Sequence, residues 1–192
     1  MKRIFFAVDI SDDVKAVAAE RISRFRKEFP DVRVSWAKPE NLHITLKFVG
    51  DAEDEQIESL SSHLAAAFEK IPQFRIGLST PSAFGKRVLS ITVDEDTDSL
   101  PAINEILESA CERVSVPREK RAFKPHLTLA RIRDERGIDA LISEHAKIQI
   151  EPVEWEVREI ALYESELHPT GSVYSKLKTF PLGTDRFSDT TD

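Results

Sequence analysis

The chain is expected to fold as an α+β protein of two pseudo-symmetric lobes flanking a central cleft, and three observations predict it. Strand-like and helix-like stretches alternate along the 192 residues. The order strand, helix, strand occurs in both halves, and no Gly/Ser-rich linker divides them. The tetrapeptide His43-Ile44-Thr45-Leu46 returns 83 residues later as His126-Leu127-Thr128-Leu129, one copy in each half.

Residues 2–10 read as a first strand. Ser11-Asp12-Asp13 then supplies an N-cap and an acidic first turn for a helix that runs through Phe29 and stops at Pro30. A short alternating strand follows at 32–36, then a turn at Lys38-Pro39-Glu40-Asn41, then the first motif strand at 42–49, ended by Gly50. Residues 51–70 form a helix with Ile57, Leu60, Leu64 and Phe68 on one stripe. Two strands, 74–79 and 88–93, are joined by a loop at 80–87 that carries Phe84, Gly85, Lys86 and Arg87. A helix at 98–114, the second motif strand at 127–132, a short helix at 137–145 and strands at 154–164 and 173–180 complete the order. Residues 1–183 are read as one bilobal domain. The polar, aperiodic segment 184–192 is read as a disordered tail.

Side chains two apart on a strand face the same way, so each motif copy sets an imidazole beside a hydroxyl on one face and two aliphatic residues on the other. Alternating His-x-Thr-x also describes any half-buried strand with a polar outer face. The repeated context argues against that bland reading: Pro39-Glu40-Asn41-Leu42 leads into the first copy and Phe123-Lys124-Pro125 into the second. His63, His145 and His168 have no such twin and read as surface residues. Leu42, Ile44, Leu46 and Phe48 are expected to pack the first motif strand on its helices, and Leu127 and Leu129 the second.

Composition narrows the function. There is no apolar run near the roughly 18 residues that a membrane helix needs, and Met1-Lys2-Arg3-Ile4-Phe5-Phe6 leads into an acidic segment, so a cytoplasmic protein without membrane attachment is expected. The lone Cys111 lies in a helical pattern and reads as a small buried apolar residue. A net charge of −7 disfavours long duplex nucleic acid. Between Arg118 and Arg136, however, seven basic residues face three acidic ones, which concentrates positive charge around the second motif.

Neither motif contains the Cys or carboxylate that usually completes a metal site, so no metal and no cofactor are expected. There is no Gly-x-Ser-x-Gly and no glycine-rich phosphate loop. What remains is acid–base chemistry. One neutral histidine accepts a proton from an attacking group, one protonated histidine donates to a leaving oxygen, and an unperturbed pKa of about 6.5 suits both tasks. Hydroxyls beside them can donate to the non-bridging oxygens of a phosphodiester.

These residues resemble the two-histidine (2H) phosphoesterases, whose mark is a pair of His-x-Thr/Ser-x motifs on facing lobes. Within them the chain is similar to the RNA 2′,3′-cyclic phosphodiesterases, also called 2′-5′ RNA ligases. The likeness spans Arg3 to Val8, Trp36, Pro39 to Leu46, Phe48-Val49-Gly50, Ala83-Phe84-Gly85, Pro125 to Arg131, Tyr174 and Phe180-Pro181-Leu182. It implies a LigT-like fold with an antiparallel-type sheet and outer helices in each lobe. It also implies hydrolysis of an RNA or nucleoside 2′,3′-cyclic phosphate to a 2′-phosphomonoester, with 2′-5′ ligation chemically open. By the same resemblance His43 is the proton donor, His126 the proton acceptor, and Thr45 and Thr128 the clamp on the phosphate. Arg131 reaches phosphate or ribose, provided that a bulge or the strand's end frees it from the face opposite His126. Phe48 and Phe84 stand where either a base or the core could claim them. The implied partners are RNA ends or small cyclic nucleotides, acting on a monomer. Two other readings stay open: an RNA-end or nucleotide-binding module with little turnover, and a 2H enzyme for another small cyclic or 2′-5′ phosphodiester.

Overall fold

A computed structural model describes residues 1–95, 97–169 and 171–184; the tail expected at 184–192 lies, beyond Thr184, outside the described residues. The observed elements are β1 (Lys2–Asp9), α1 (Asp12–Glu28), β2 (Val34–Trp36), a 3-10 turn (Pro39–Asn41), β3 (His43–Ala52), α2 (Asp54–Phe68), β4 (Phe74–Phe84), β5 (Val88–Glu95), α3 (Ser99–Arg113), β6 (His126–Ile132), α4 (Ile138–Lys147), β7 (Glu154–Val157), β8 (Glu159–His168) and β9 (Gly171–Pro181). The α+β class and the helix–strand alternation are as expected.

All nine strands belong to one antiparallel sheet in the order β7-β4-β5-β6-β3-β1-β8-β9, with β2 on β6. The two motif strands, β3 and β6, are the central pair. Apart from β2, four strands lie on each side of their seam, and the pseudo-two-fold relation maps β3 onto β6, β1 onto β5 and β8 onto β4. Each half lends its outer strand to the other. β4 follows α2 but pairs with β5, and β8 follows the second half but pairs with β1.

The sheet curls. β7 lies at one edge and β8 near the other, yet only Arg158 separates them in sequence, a span of one residue. The indole Nε1–H of Trp155 in β7 donates to the Asp9 carbonyl of β1 at 3.0 Å across the same gap. Residues 154–164 therefore form two strands rather than the single one read from their pattern. A one-residue corner carries no compositional mark.

One large core lies between the sheet and its helices. It joins Ile44 and Leu46 of β3 to Leu127 and Leu129 of β6, the α2 stripe Ile57, Leu60, Leu64 and Phe68, and Leu100, Ile103 and Leu107 of α3. A smaller cluster of Phe25, Leu89, Ala130, Ile138 and Leu141 lies between α1 and α4. Cys111 is buried, and burial pushes its thiol up to about 11, in line with a packing role. His145 is a correction. It is fully buried rather than at the surface, and donates its Nε2–H to the Ser90 carbonyl at 2.7 Å.

Both motif strands depart from strict alternation at the same place. In β3, Leu46 and Lys47 are consecutive buried residues, and the β1 register slips between Phe6↔Lys47 and Ala7↔Thr45. In β6, Leu129 and Ala130 are both buried, and the β5 register slips between Leu89↔Ala130 and Ser90↔Thr128. These are paired β-bulges, each three residues past the histidine. The carbonyl at each bulge finds a donor outside the ladder: Asn104 Nδ2 of α3 reaches Leu46 O at 2.9 Å, and the Ala37 N–H reaches Leu129 O at 2.8 Å.

The bulges overturn one core assignment. Phe48, expected to pack inward with Leu46, is 50% exposed, and Lys47 takes the buried place. Its ammonium donates to Glu108 of α3 at 2.6 Å and to the Pro117 carbonyl at 3.1 Å, while Glu108 also accepts the Glu119 N–H at 3.1 Å. Gly50, expected to end the strand, instead sits inside it at φ +86°, a left-handed conformation that a side chain would strain, and β3 runs on to Ala52.

Removing one member of the buried pair leaves the other charge desolvated. Glu108→Ala is expected to cost about 3 kcal/mol or more in urea unfolding, and Lys47→Met with Glu108→Leu markedly less than either single change.

Candidate active site

The β3–β6 seam positions the motif. Ile44 pairs with Leu127 in antiparallel register. Carried one residue each way, that register sets His43 opposite Thr128 and Thr45 opposite His126, all four on the face away from the large core. Two imidazoles and two hydroxyls thus occupy alternate corners of a square.

Each imidazole is held by its own lead-in. His43 Nδ1–H donates to the Asn41 carbonyl at 2.8 Å, and His126 Nδ1–H to the Lys124 carbonyl at 2.7 Å. A carbonyl can only accept, so both Nε2 atoms carry the lone pair in the neutral ring. The Thr45 hydroxyl donates to His43 Nε2 at 2.9 Å. In the first copy Pro39 opens the 3-10 turn that presents Asn41. Asn41 also donates its Nδ2 to Ser172 O at 2.8 Å, which ties the motif to the β8–β9 hairpin. Each ring leans on a phenyl group: Phe5 is 4.8 Å from His43 and Phe84 is 4.6 Å from His126, centroid to centroid.

A cleft of about 570 Å³ opens on this face. His43, Thr45, Thr128, Arg131 and Phe48 line it, as do Trp36, Tyr174 and the hairpin residues Leu167 and His168. His126 stands beside that wall, opposite Thr45. Arg131 reaches the cleft because the β6 bulge turns it to the His126 face, one of the two conditions that the sequence set for it. Phe48 holds the matching place after the first motif, so one half presents a guanidinium where the other presents an exposed phenyl ring. Phe84 is not on the cleft wall. β4 extends through residues 80–84 of the stretch read as a loop, and Phe84 ends it against the His126 ring. His168, read as a surface residue, lines the cleft on the hairpin, and its Nε2 lies 3.3 Å from Glu166. His168 belongs to no repeated pattern and carried no signal of site function, and Trp36 entered through the resemblance. Tyr174 entered through the resemblance alone.

The two-fold likeness fails at one informative point. The cross-strand neighbour of His43 is Asp9 in β1, whereas that of His126 is Thr92 in β5. The Asp9 carboxylate accepts from the Tyr163 hydroxyl and the Lys176 ammonium, each at 2.5 Å, and Lys176 is 3.6 Å from Glu159. The Thr92 hydroxyl bonds, among the described residues, only to Thr80 across the β4–β5 pair.

Burial lowers His43 to about 4. The Asn41 carbonyl and Asp9 pull the other way, while Arg131 and His126 add to the lowering. His126 is lowered too, by burial and then by Arg131, against the Lys124 carbonyl. Both rings are therefore neutral at pH 7.

Paired, carbonyl-anchored His-x-Thr units across one strand seam match the pattern that marks the two-histidine phosphoesterases. The profile of the 2′-5′ RNA ligase superfamily matches residues 12–169, and the chain belongs to that family. It is 31% identical over 182 residues to the RNA 2′,3′-cyclic phosphodiesterase of Thermotoga maritima, covering 91% of this chain and 92% of the relative. With the enzyme of the same name from Archaeoglobus fulgidus it shares 30% over 184 residues, covering 93% and 99%. Among solved structures, TT0787 of Thermus thermophilus superposes with a TM-score of 0.76 at 27% identity over 95% of this chain and 99% of that one. E. coli LigT complexed with ATP superposes with a TM-score of 0.68 at 26% identity over 95% and 98%.

Histidines held neutral by burial bind fewer protons than in the unfolded chain. Between the unfolded value of about 6.5 and the lowered folded values, the unfolded state takes up the extra protons. Stability is therefore complete above that value and falls as pH drops towards about 4. Urea unfolding from pH 7.5 to 4.5 is expected to show this decline, and His43→Gln to flatten it in part.

Proposed function

We propose that the chain hydrolyses RNA or nucleoside 2′,3′-cyclic phosphates to 2′-phosphomonoesters. The observation that carries this reading is the strand register, which sets two imidazoles and two threonine hydroxyls on one face of the β3–β6 seam. The names of the relatives support the same substrate class.

His126 Nε2 takes a proton from water as its oxygen bonds to phosphorus. The bond from phosphorus to the 3′ oxygen breaks, and His43 Nε2–H gives its proton to that oxygen. Thr45 and Thr128 donate to the non-bridging oxygens, and Arg131 balances their charge as it shifts in the transition state. An RNA 5′-hydroxyl in place of water gives the 2′-5′ ligation by the same displacement. The protein acts on RNA ends in the cytoplasm, as a monomer.

Asp9 supports this division of roles. The donor must be cationic when it acts, and among the described residues His43, not His126, has a carboxylate as its cross-strand neighbour. Burial outweighs that carboxylate, so His43 takes up its proton when the anionic phosphate enters.

In excess chelator, the protein is expected to convert a 2′,3′-cyclic mononucleotide to the 2′-phosphate, with kcat lowered at least about 100-fold by His43→Ala or His126→Ala. Retained affinity for the nucleotide with no turnover by the parent protein would mark a binding module instead. Asp9→Asn is expected to lower kcat/KM at pH 7 by up to about tenfold on the cyclic nucleotide, the factor of one pKa unit. A p-nitrophenyl phosphodiester, whose leaving group needs no proton, should be spared. Equal losses on both substrates would make His43 the base.

A further inference from the structure

We propose that the arm of the cleft bounded by Arg26 and Arg133 is a subsite for the RNA chain upstream of the cyclic end, where the two guanidinium groups grip backbone phosphates. This deepens the reading above and rests on it.

The cleft runs without interruption from His43, Thr45 and Thr128 to Arg26 at the end of α1 and Arg133 just past β6. Its wall carries Arg26, Lys38, Arg131 and Arg133, and, among the described residues, no aspartate or glutamate. Local positive charge of this kind is unusual for a chain of net charge −7.

The state of the neighbouring cations makes the point sharper. Arg24 pairs with Glu28, Arg136 with Asp134, and Lys86 with Asp139, and Arg33 lies 3.9 Å from Asp134. Arg26 and Arg133, both exposed, have no ion-pair partner among the described residues. Arg133 is not left loose, however. Its Nε donates to Ser35 Oγ at 2.8 Å, which orients the fork and leaves the terminal nitrogens for a ligand. Arg131 is committed to the reacting phosphate, so the outer pair is surplus to a mononucleotide and suited to a longer chain.

A second groove, of about 400 Å³, leaves the site on the other side of Phe48, between β3 and residues 116–121. It is the poorer path for a polyanion. Of its cations, Lys47 is matched with Glu108, and Arg118 with Glu105 and Glu112, and Glu119 adds a negative charge. Lys120 and Arg121 alone remain.

The test compares a 2′,3′-cyclic mononucleotide with a pentanucleotide ending in the same group, using the parent protein, Arg26→Gln/Arg133→Gln and Lys120→Gln/Arg121→Gln. The first pair is expected to lower kcat/KM on the pentanucleotide by about tenfold through KM, leave the mononucleotide within about twofold, and reduce the salt slope by about 1.4, at about 0.7 per phosphate contact. Equal losses on both substrates, or a pentanucleotide effect carried by the Lys120/Arg121 pair, would overturn the proposal. Affinity for a fluorescent pentanucleotide bearing a 2′-phosphate reads the same contacts without turnover. A parent protein inactive on the mononucleotide would therefore count against the phosphodiesterase reading, and the affinity ratio would still decide the subsite.

Discussion

One backbone pairing, Ile44 with Leu127, underlies everything else in the site. It lies where the two halves of the sheet meet, and its register decides which side chains of β3 and β6 become neighbours. A slip of one residue would turn the histidines and threonines into the core and the aliphatic residues into the cleft. The buried faces prevent it. Ile44, Leu46, Leu127 and Leu129 share one core cluster, so the hydrophobic pattern that holds the fold also holds the catalytic square.

The paired bulges show how the same strands serve two purposes. Before each bulge, alternation gives a His and a Thr facing the cleft. After it, the phase is reversed, and the residue five past each histidine faces the cleft as well. The departure is stabilised from outside the ladder, since Asn104 and Ala37 take the carbonyls at the bulges. The cost to β3 is a buried lysine, answered by Glu108.

Pseudo-symmetry sets up equivalent tools, and its local failures give them different tasks. Asp9 stands where the other half has Thr92, and Phe48 where the other half has Arg131. A strictly symmetric site would hold two histidines of equal basicity, whereas an acid–base pair needs them unequal at the moment of reaction. The exchange of β4 and β8 between the halves ties the lobes into one sheet and keeps these differences at fixed positions.

Much of this was legible in the sequence because it depends on local pattern. The duplicated His-x-Thr with its proline lead-ins named the four central side chains. The apolar stripe of α2 and the Ser11 cap placed helices, and Arg131 pointed to a bulge or a strand end because alternation alone faced it the wrong way. Contacts distant in the chain were not legible. Asp9 next to His43, Trp155 reaching β1, His145 under Ser90 and His168 on the cleft wall each depend on how strands are ordered and how the sheet curls, and no spacing encodes those. The sequence by itself determined which polar groups share one face of each motif strand, since period-two alternation and residue type are local properties of a strand. Only the tertiary structure decided which of the two histidines has a carboxylate for a neighbour and which arginines line the cleft, because both follow from long-range pairing and packing.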